Sequence, residues 1–522
     1  MSLKDKYNNN LKLFVLAIFS LIFNQYYANQ GLFPAESLAH YDIAFRILEG
    51  DIPLLDYWTV SGVFIDYIQA LILFFFGDSI QIYILHASIF NSLITILVYF
   101  FFKEIFKLNT NYSFLYSLFF TVLAYPISGT LYIDLHASLL CFSSMIFFIF
   151  YYNNEKKLYL FISLIILTFS FLTKIVPASY LSIVIFFALV FKAFYEKKFI
   201  ILKYFFFFSA LIFIFFLILV IILRIPLFEI LNQYIFFPST IGKTRFNIGI
   251  FSINSLSVYK FVFIPVLLLF FSFVKKTNLD FKKNYANICN LLLILCLVIV
   301  LYLHQALTRN QEFIYFLIPV LFCFLSIEFI YKNKKKNKIK NFLILFFCLI
   351  IVFKYHLRLN ENRRFHELEN VNLKKSVPAI LINKKLYGLE WITKDFAENP
   401  NLEINKINGL ILELENSNLN NSMVISNYSF LSVVLDKNLN PPARWFFPDG
   451  NVYPISKKNI YFKNYQFFLV NLLERKNIEN IYFAFDVNES EILRYINKNC
   501  FVYADKLIYI KKISIKKNCK LI

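Results

Sequence analysis

The sequence predicts a polytopic α-helical membrane protein of about eleven spans with juxtamembrane helices, followed by a small C-terminal α/β domain. Three observations carry this reading. Of 522 residues, 59% are hydrophobic and only 16% charged, whereas a soluble domain holds about 25% charged residues, and the mean hydropathy is +0.60. Long apolar runs recur up to residue 356, after which the pattern turns to the mixed polar and apolar composition of a water-soluble domain. The formal charge of +20 resides in short lysine clusters between apolar runs, as orientation signals do. No nucleic-acid partner is expected; the lipid bilayer is.

Apolar stretches long enough to cross a bilayer, roughly 15 to 22 residues, lie at 11–27, 82–102, 113–127, 132–151, 158–173, 176–195, 203–223, 259–274, 286–304, 313–331 and 342–355. The first is expected to be retained, since no small-residue cleavage site follows it. A further stretch, 63–76, contains Asp66 and Gln69. If it crossed the membrane, the lysine clusters near 103–107, 156–157, 197–198, 275–283 and 332–340 would face outward, against the usual bias of basic loops to the cytoplasm. Laid along the outer surface, it puts every cluster and the N-terminus in the cytoplasm. The predicted location is therefore the inner cell membrane, with segments 28–80, 224–258 and 305–312 and the C-terminal domain extracytoplasmic.

This divides the chain into a membrane domain, 1–356, whose first external loop is 28–80, and a soluble domain, 357–522. Within the soluble part, 423–433 and 481–485 read as strands, and 408–415, 467–474 and 490–497 as helices. Five cysteines lie in or beside apolar segments; Cys500 and Cys519 fall in the polar part and pair if it lies outside the cytoplasm. No CxxC, HExxH or clustered His/Cys spacing suggests zinc, and no metal or other cofactor is indicated.

The first external loop carries the most chemistry. It reads Phe33-Pro-Ala-Glu36-Ser-Leu-Ala-His40-Tyr-Asp42, continues through Arg46, Glu49 and Gly50, and reaches Pro53-Leu-Leu-Asp56-Tyr-Trp58. The spacing predicts an amphipathic helix from Glu36 to Glu49, with Leu38, Tyr41, Phe45 and Leu48 on the apolar face, ended by Gly50 and Pro53.

An acidic residue opening a surface helix, a Gly fourteen residues on, a Pro-x-x-Asp turn and a membrane-hugging apolar helix resemble the first external loop of the C-type (GT-C) glycosyltransferases. The similar branch includes protein O-mannosyltransferases, which use dolichyl-phosphate mannose, and lipid A aminoarabinose transferases. That family often places two adjacent acids here; this chain has Ala35-Glu36-Ser37. Further matches follow in order: Tyr132-Ile-Asp134-Leu-His136 opening a span, Phe171-Leu-Thr173-Lys174 ending one, Arg309-Asn-Gln-Glu312 before a Leu-x-Pro helix, and Asn440-Pro-Pro-Ala-Arg444-Trp445 in the soluble part.

The resemblance implies transfer of a sugar from a polyprenyl-phosphate donor to a lipid, glycan or protein acceptor outside the cytoplasm. Such transfer needs a base at the acceptor and cations around the departing phosphate. Glu36 is the first candidate base and Asp42 the second. Lys174 and Arg309, at outer span ends, are candidates to neutralise the phosphate, as are Lys243 and Arg245 in the 224–258 segment, which corresponds to a loop that closes over the donor in such folds. Asp134, His304 and Asp56 complete the expected site. A single displacement inverts the anomeric centre. Two other readings stand beside this one. A transporter would show inverted repeats and paired broken helices, which the sequence lacks; a scaffold would keep the fold and lose the activity, in line with the missing second acid.

Overall fold

Helices form wherever the sequence runs apolar. The computed structural model describes residues 3–245, 252–277, 281–308, 312–330, 334–517 and 519–521. The helical part comprises α1 (Leu3–Ala28), α2 (Pro34–Ser37), α3 (Ala39–Leu48), α4 (Val63–Phe76), α5 (Ile80–Glu104), α6 (Thr110–Leu123), α7 (Ile133–Asn154), α8 (Lys157–Thr173), α9 (Ile175–Glu196) and α10 (Ile200–Ile222). It continues with α11 (Leu227–Glu229), α12 (Phe237–Arg245), α13 (Ile253–Val258), α14 (Lys260–Thr277), α15 (Phe281–Leu307), α16 (Leu317–Ile330) and α17 (Lys334–His356). Each of the eleven apolar stretches overlaps a helix, although 113–127 runs past the end of α6 at Leu123 and 313–331 begins four residues before α16. Among the described residues, seven helices are long and apolar enough to cross a membrane, lying within 8–28, 80–104, 133–154, 175–196, 200–222, 285–307 and 339–366.

Burial differs sharply among them. In α7, 94% of the most apolar window is buried, so this helix is the hub of the bundle, packed between α8, α5 and α15. In α10 the figure is 6%, and Phe206, Phe207, Phe213, Phe215, Ile221 and Ile222 stand exposed. A continuous apolar surface of this kind is unstable in water. Helix α4 has 14 residues, about 21 Å at 1.5 Å per residue, which falls short of the roughly 30 Å hydrocarbon core of a bilayer. It buries Ile65, Asp66, Gln69, Ala70 and Leu73 and leaves Leu71 and Phe74 to Phe76 exposed.

The predicted helix from Glu36 to Glu49 is broken. Leu38 (φ −113°, ψ 1°) leaves helical geometry, so α2 ends at Ser37 and α3 starts afresh at Ala39. Nor is α3 a solvated surface helix: His40, Asp42 and Arg46 are buried along with its apolar residues. The C-terminal domain covers the face that amphipathicity assigns to water.

That domain contains β1 (Val377–Pro378) and β2 (Glu390–Trp391), α18 (Pro400–Glu415), β3 (Ser422–Ile425), α19 (Leu431–Val434), α20 (Phe462–Arg475), β4 (Asn480–Ala484), α21 (Ser490–Leu493), β5 (Phe501–Lys506) and β6 (Ile510–Ile515). The main sheet has the order β3-β4-β6-β5, parallel between β3 and β4 and antiparallel elsewhere. The strand predicted over 423–433 stops at Ile425, because Asp486 accepts hydrogen bonds from Ser426 Oγ (3.0 Å) and Asn427 N (2.5 Å) and draws the chain out of the ladder. The helix predicted over 490–497 is one turn long. Cys500 and Cys519 form a disulfide.

The two parts share their cores. One buried apolar cluster runs from the helical bundle into Trp391, Ile404, Val424 and Tyr428. A second joins Trp58 and Phe237 to Tyr465, Phe468 and the inner face of the sheet. Residue 357 marks a change of composition without a gap in packing.

Candidate functional site

The helix ends that face the C-terminal domain gather the polar groups. Pro34 sits at the first position of α2, where its missing N–H costs nothing, and Glu36 follows within that single turn. Its carboxyl accepts a hydrogen bond from the Tyr132 hydroxyl and lies near Asp134, Asp449 and Glu367. Burial of the carboxyl pushes its pKa up to about 7; the neighbouring carboxylates add to the rise and the Tyr132 hydrogen bond opposes it.

Asp134 occupies the first turn of α7, where the helix dipole favours an anion. Its Oδ1 pairs with Nζ of Lys174 and stands 2.9 Å from Nε2 of His304, whose Nδ1 faces Ser138 Oγ at 3.2 Å. Lys174 is placed by a break between helices: its backbone is extended (φ −158°, ψ 132°) between α8 and α9, and its side chain pairs with Asp134 of α7. Asp134 and His304 are buried and Lys174 is half-buried. Asp134, Lys174 and His304 thus come from three helix ends to one place, and Tyr132 and Asp134 connect it to Glu36.

The remaining predicted residues sit elsewhere. Asp42 is buried with both oxygens engaged by Ser432, from N at 2.9 Å and Oγ at 3.1 Å. Burial raises its pKa against the opposing charge of Arg46. Asp56 accepts from Ile52 N (2.7 Å) and pairs with Arg475 (3.0 Å) and Lys476 (3.2 Å) of the C-terminal domain. Arg245 donates to Leu307 O (3.2 Å) and Asn451 Oδ1 (2.6 Å), tying α12 to the end of α15 and to the loop after Arg444. Lys243 is exposed. Arg309 lies outside the described residues.

Sequence reasoning assigned no role to Tyr132, although it stands two positions before Asp134. It also passed over a buried network around Asp66, in which His40 Nδ1 (2.6 Å), Tyr57 OH (3.0 Å) and Arg444 Nη2 (2.5 Å) converge on the carboxylate. The available signal was Asp66 itself, since an ionisable side chain in an apolar run needs a partner. Among the described residues, no group of three or more His, Cys, Asp or Glu side chains is placed to hold a metal ion.

Chemically, the arrangement offers a carboxyl that exchanges its proton near neutral pH, as a general base requires. It lies near Asp134, the centre of an Asp134–Lys174–His304 cluster in which the lysine charge is offset by one carboxylate. Set against known proteins, the chain matches no family model and no curated relative.

Proposed function

We propose that this chain is a polytopic membrane glycosyltransferase of the GT-C type, taking a sugar from a polyprenyl-phosphate donor and passing it to an envelope acceptor on the extracytoplasmic side. The observation that carries the proposal is the placing of Glu36 near Asp134, which itself holds Lys174 and His304. These residues belong to chain segments far apart in sequence, each singled out by the resemblance or by its place at a helix end. In the reaction, Glu36 takes the proton of the acceptor hydroxyl or amine while the acceptor atom attacks the anomeric carbon. The bond from that carbon to the phosphate oxygen breaks, its electron pair leaves with the polyprenyl phosphate, and the anomeric centre inverts. Lys174, held by Asp134, takes the role of stabilising charge that develops on the leaving oxygen. Asp42, engaged by Ser432, ranks behind Glu36 as the base.

The membrane placement belongs to the same proposal. Eleven helices span the bilayer, the exposed apolar face of α10 meets lipid, and α4 lies along the outer surface. The lysine clusters then face the cytoplasm, and the disulfide lies in an oxidising compartment.

The test is release of polyprenyl phosphate. Membranes containing the protein are incubated with a panel of radiolabelled polyprenyl-phosphate sugars and acceptor-rich envelope extract. Wild type releases polyprenyl phosphate from at least one donor and Glu36→Gln does not; release by neither, or equal release by both, contradicts the proposal.

A further inference from the structure

A four-residue helix cannot hold its own geometry, since one turn fixes several dihedral angles for a single hydrogen bond. The position of Glu36 is therefore set by what grips its neighbours. Ser37 is fixed by His366 Nδ1 (3.1 Å from its Oγ) and by Tyr83, whose hydroxyl donates to Ser37 O at 2.8 Å. Further grips come from the C-terminal domain, to which His366 also belongs. Ser429 Oγ lies 3.3 Å from the carbonyl oxygen of Ala35, the residue before Glu36, and Ser432 holds Asp42 through N and Oγ. Arg444 reaches Asp66, which also receives His40 from α3 and Tyr57. The side chains of Arg444, His40 and Asp66 are each at most 2% exposed.

We infer that the C-terminal domain is a clamp on the segment that carries Glu36, and that Ser429, Ser432 and Arg444 are positioning residues for the base. The catalytic consequence rests on the function proposed above; the clamp itself does not. Its geometry accounts for the place of the loop after Ile425, which leaves the sheet and lands on α2 and α3. It also accounts for two buried, paired charges, Asp66 and Arg444. The groups whose charge or hydrogen bond acts on the Glu36 carboxyl are Tyr132 and Asp134 at the start of α7, and Glu367 and Asp449 of the C-terminal domain, the latter five residues beyond Arg444. Loosening the clamp therefore moves both the base and one of the charges around it.

The experiment uses the full chain in lipid nanodiscs and two readouts. The first is the pH dependence of carbodiimide labelling of Glu36, followed by peptide mass spectrometry, which needs no substrate because only the protonated carboxyl reacts. Wild type labels with a midpoint near 7. In the Ser429→Ala/Ser432→Ala double variant, which removes two hydroxyls and adds no bulk, the midpoint falls by about one pH unit as water reaches the carboxyl. Arg444→Lys, which keeps the charge and loses the planar fork, shifts it the same way. The second readout is donor turnover, where kcat falls about 10- to 100-fold with the donor KM little changed, as misplacement of a reacting group predicts. Midpoints and kcat that match wild type in both variants overturn the clamp. A midpoint that shifts in a protein whose wild type transfers no sugar overturns the proposed function and leaves the clamp standing.

Discussion

Nε2 of His304 stands 2.9 Å from Oδ1 of Asp134, although 170 positions separate the two residues. Lys174 pairs with the same oxygen. Such a buried cluster is costly to break from one side, because removing one partner strands a charge in an apolar setting, at about 3–5 kcal/mol. Asp134→Ala is expected to lower stability by that order. Asp134→Ala combined with Lys174→Met regains much of the loss, with a coupling energy of about 1–3 kcal/mol in a double-mutant cycle on thermal unfolding in detergent. Additive single effects would show that the two side chains do not interact.

Gly62 gives a test of the clamp by size. Its φ is +85°, and a Cβ there would stand 2.8 Å from Nη1 and Nη2 of Arg444 and 3.0 Å from Cε1 of His40. Gly50 has a similar φ of +98° with nothing within 4 Å. Both Ala substitutions carry left-handed backbone strain, about 1–2 kcal/mol. Gly62→Ala is expected to cost about 1–3 kcal/mol more, seen as the lower melting temperature of the pair. Equal melting temperatures would mean that Arg444 does not fill the space beside Gly62.

The disulfide between Cys500 and Cys519 closes a loop with a sequence separation of 19. Loops of this size stabilise by about 3 kcal/mol, mainly through the unfolded chain. Reduction should therefore lower the unfolding midpoint of the C-terminal domain, while Cys500→Ser in the presence of reductant lowers it no further. An identical midpoint before and after reduction would contradict the pairing.

Orientation is tested with single cysteines in a chain whose five membrane-segment thiols are replaced and whose disulfide is kept. Glu398 and Asn154 are both exposed, one in the C-terminal domain and one at the far end of α7. Glu398→Cys should react with a membrane-impermeant thiol reagent added to intact cells, and Asn154→Cys only after permeabilisation. The reverse pattern would place α4 across the membrane.

The helices were legible from composition because a helix long enough to cross a bilayer must be apolar throughout, whatever its neighbours. Asp134 and Lys174 were legible for a related reason: each adjoins the end of an apolar run on the same predicted side. Asp42 and Asp56 were not. They were expected as a second base and a site acid, whereas what engages them, Ser432 and the pair Arg475 and Lys476, lies some 390 residues or more along the chain. The strand over 423–433 failed similarly, since Asp486, which draws Ser426 and Asn427 out of the sheet, is about 60 residues away. Local pattern reports which segments need burial; it does not say which domain will supply it.

The pH dependence of donor turnover tests the central claim most directly. Glu36 holds its proton to about pH 7, against an ordinary value of 4.5. Below about pH 4.5 the folded and unfolded chains are both protonated at this group, so it costs no stability there. Between about pH 4.5 and 7 the folded protein keeps a proton that the unfolded chain has lost, so stability falls across that window and levels off above 7. A base must be deprotonated to act, so kcat/KM should rise with pH along a one-proton curve with its midpoint near 7. Glu36→Gln should lose about 10²- to 10⁴-fold of the turnover and the curve with it. A flat profile between about pH 5.5 and 8.5, or a Glu36→Gln variant that turns over donor at the wild-type rate, would contradict the account.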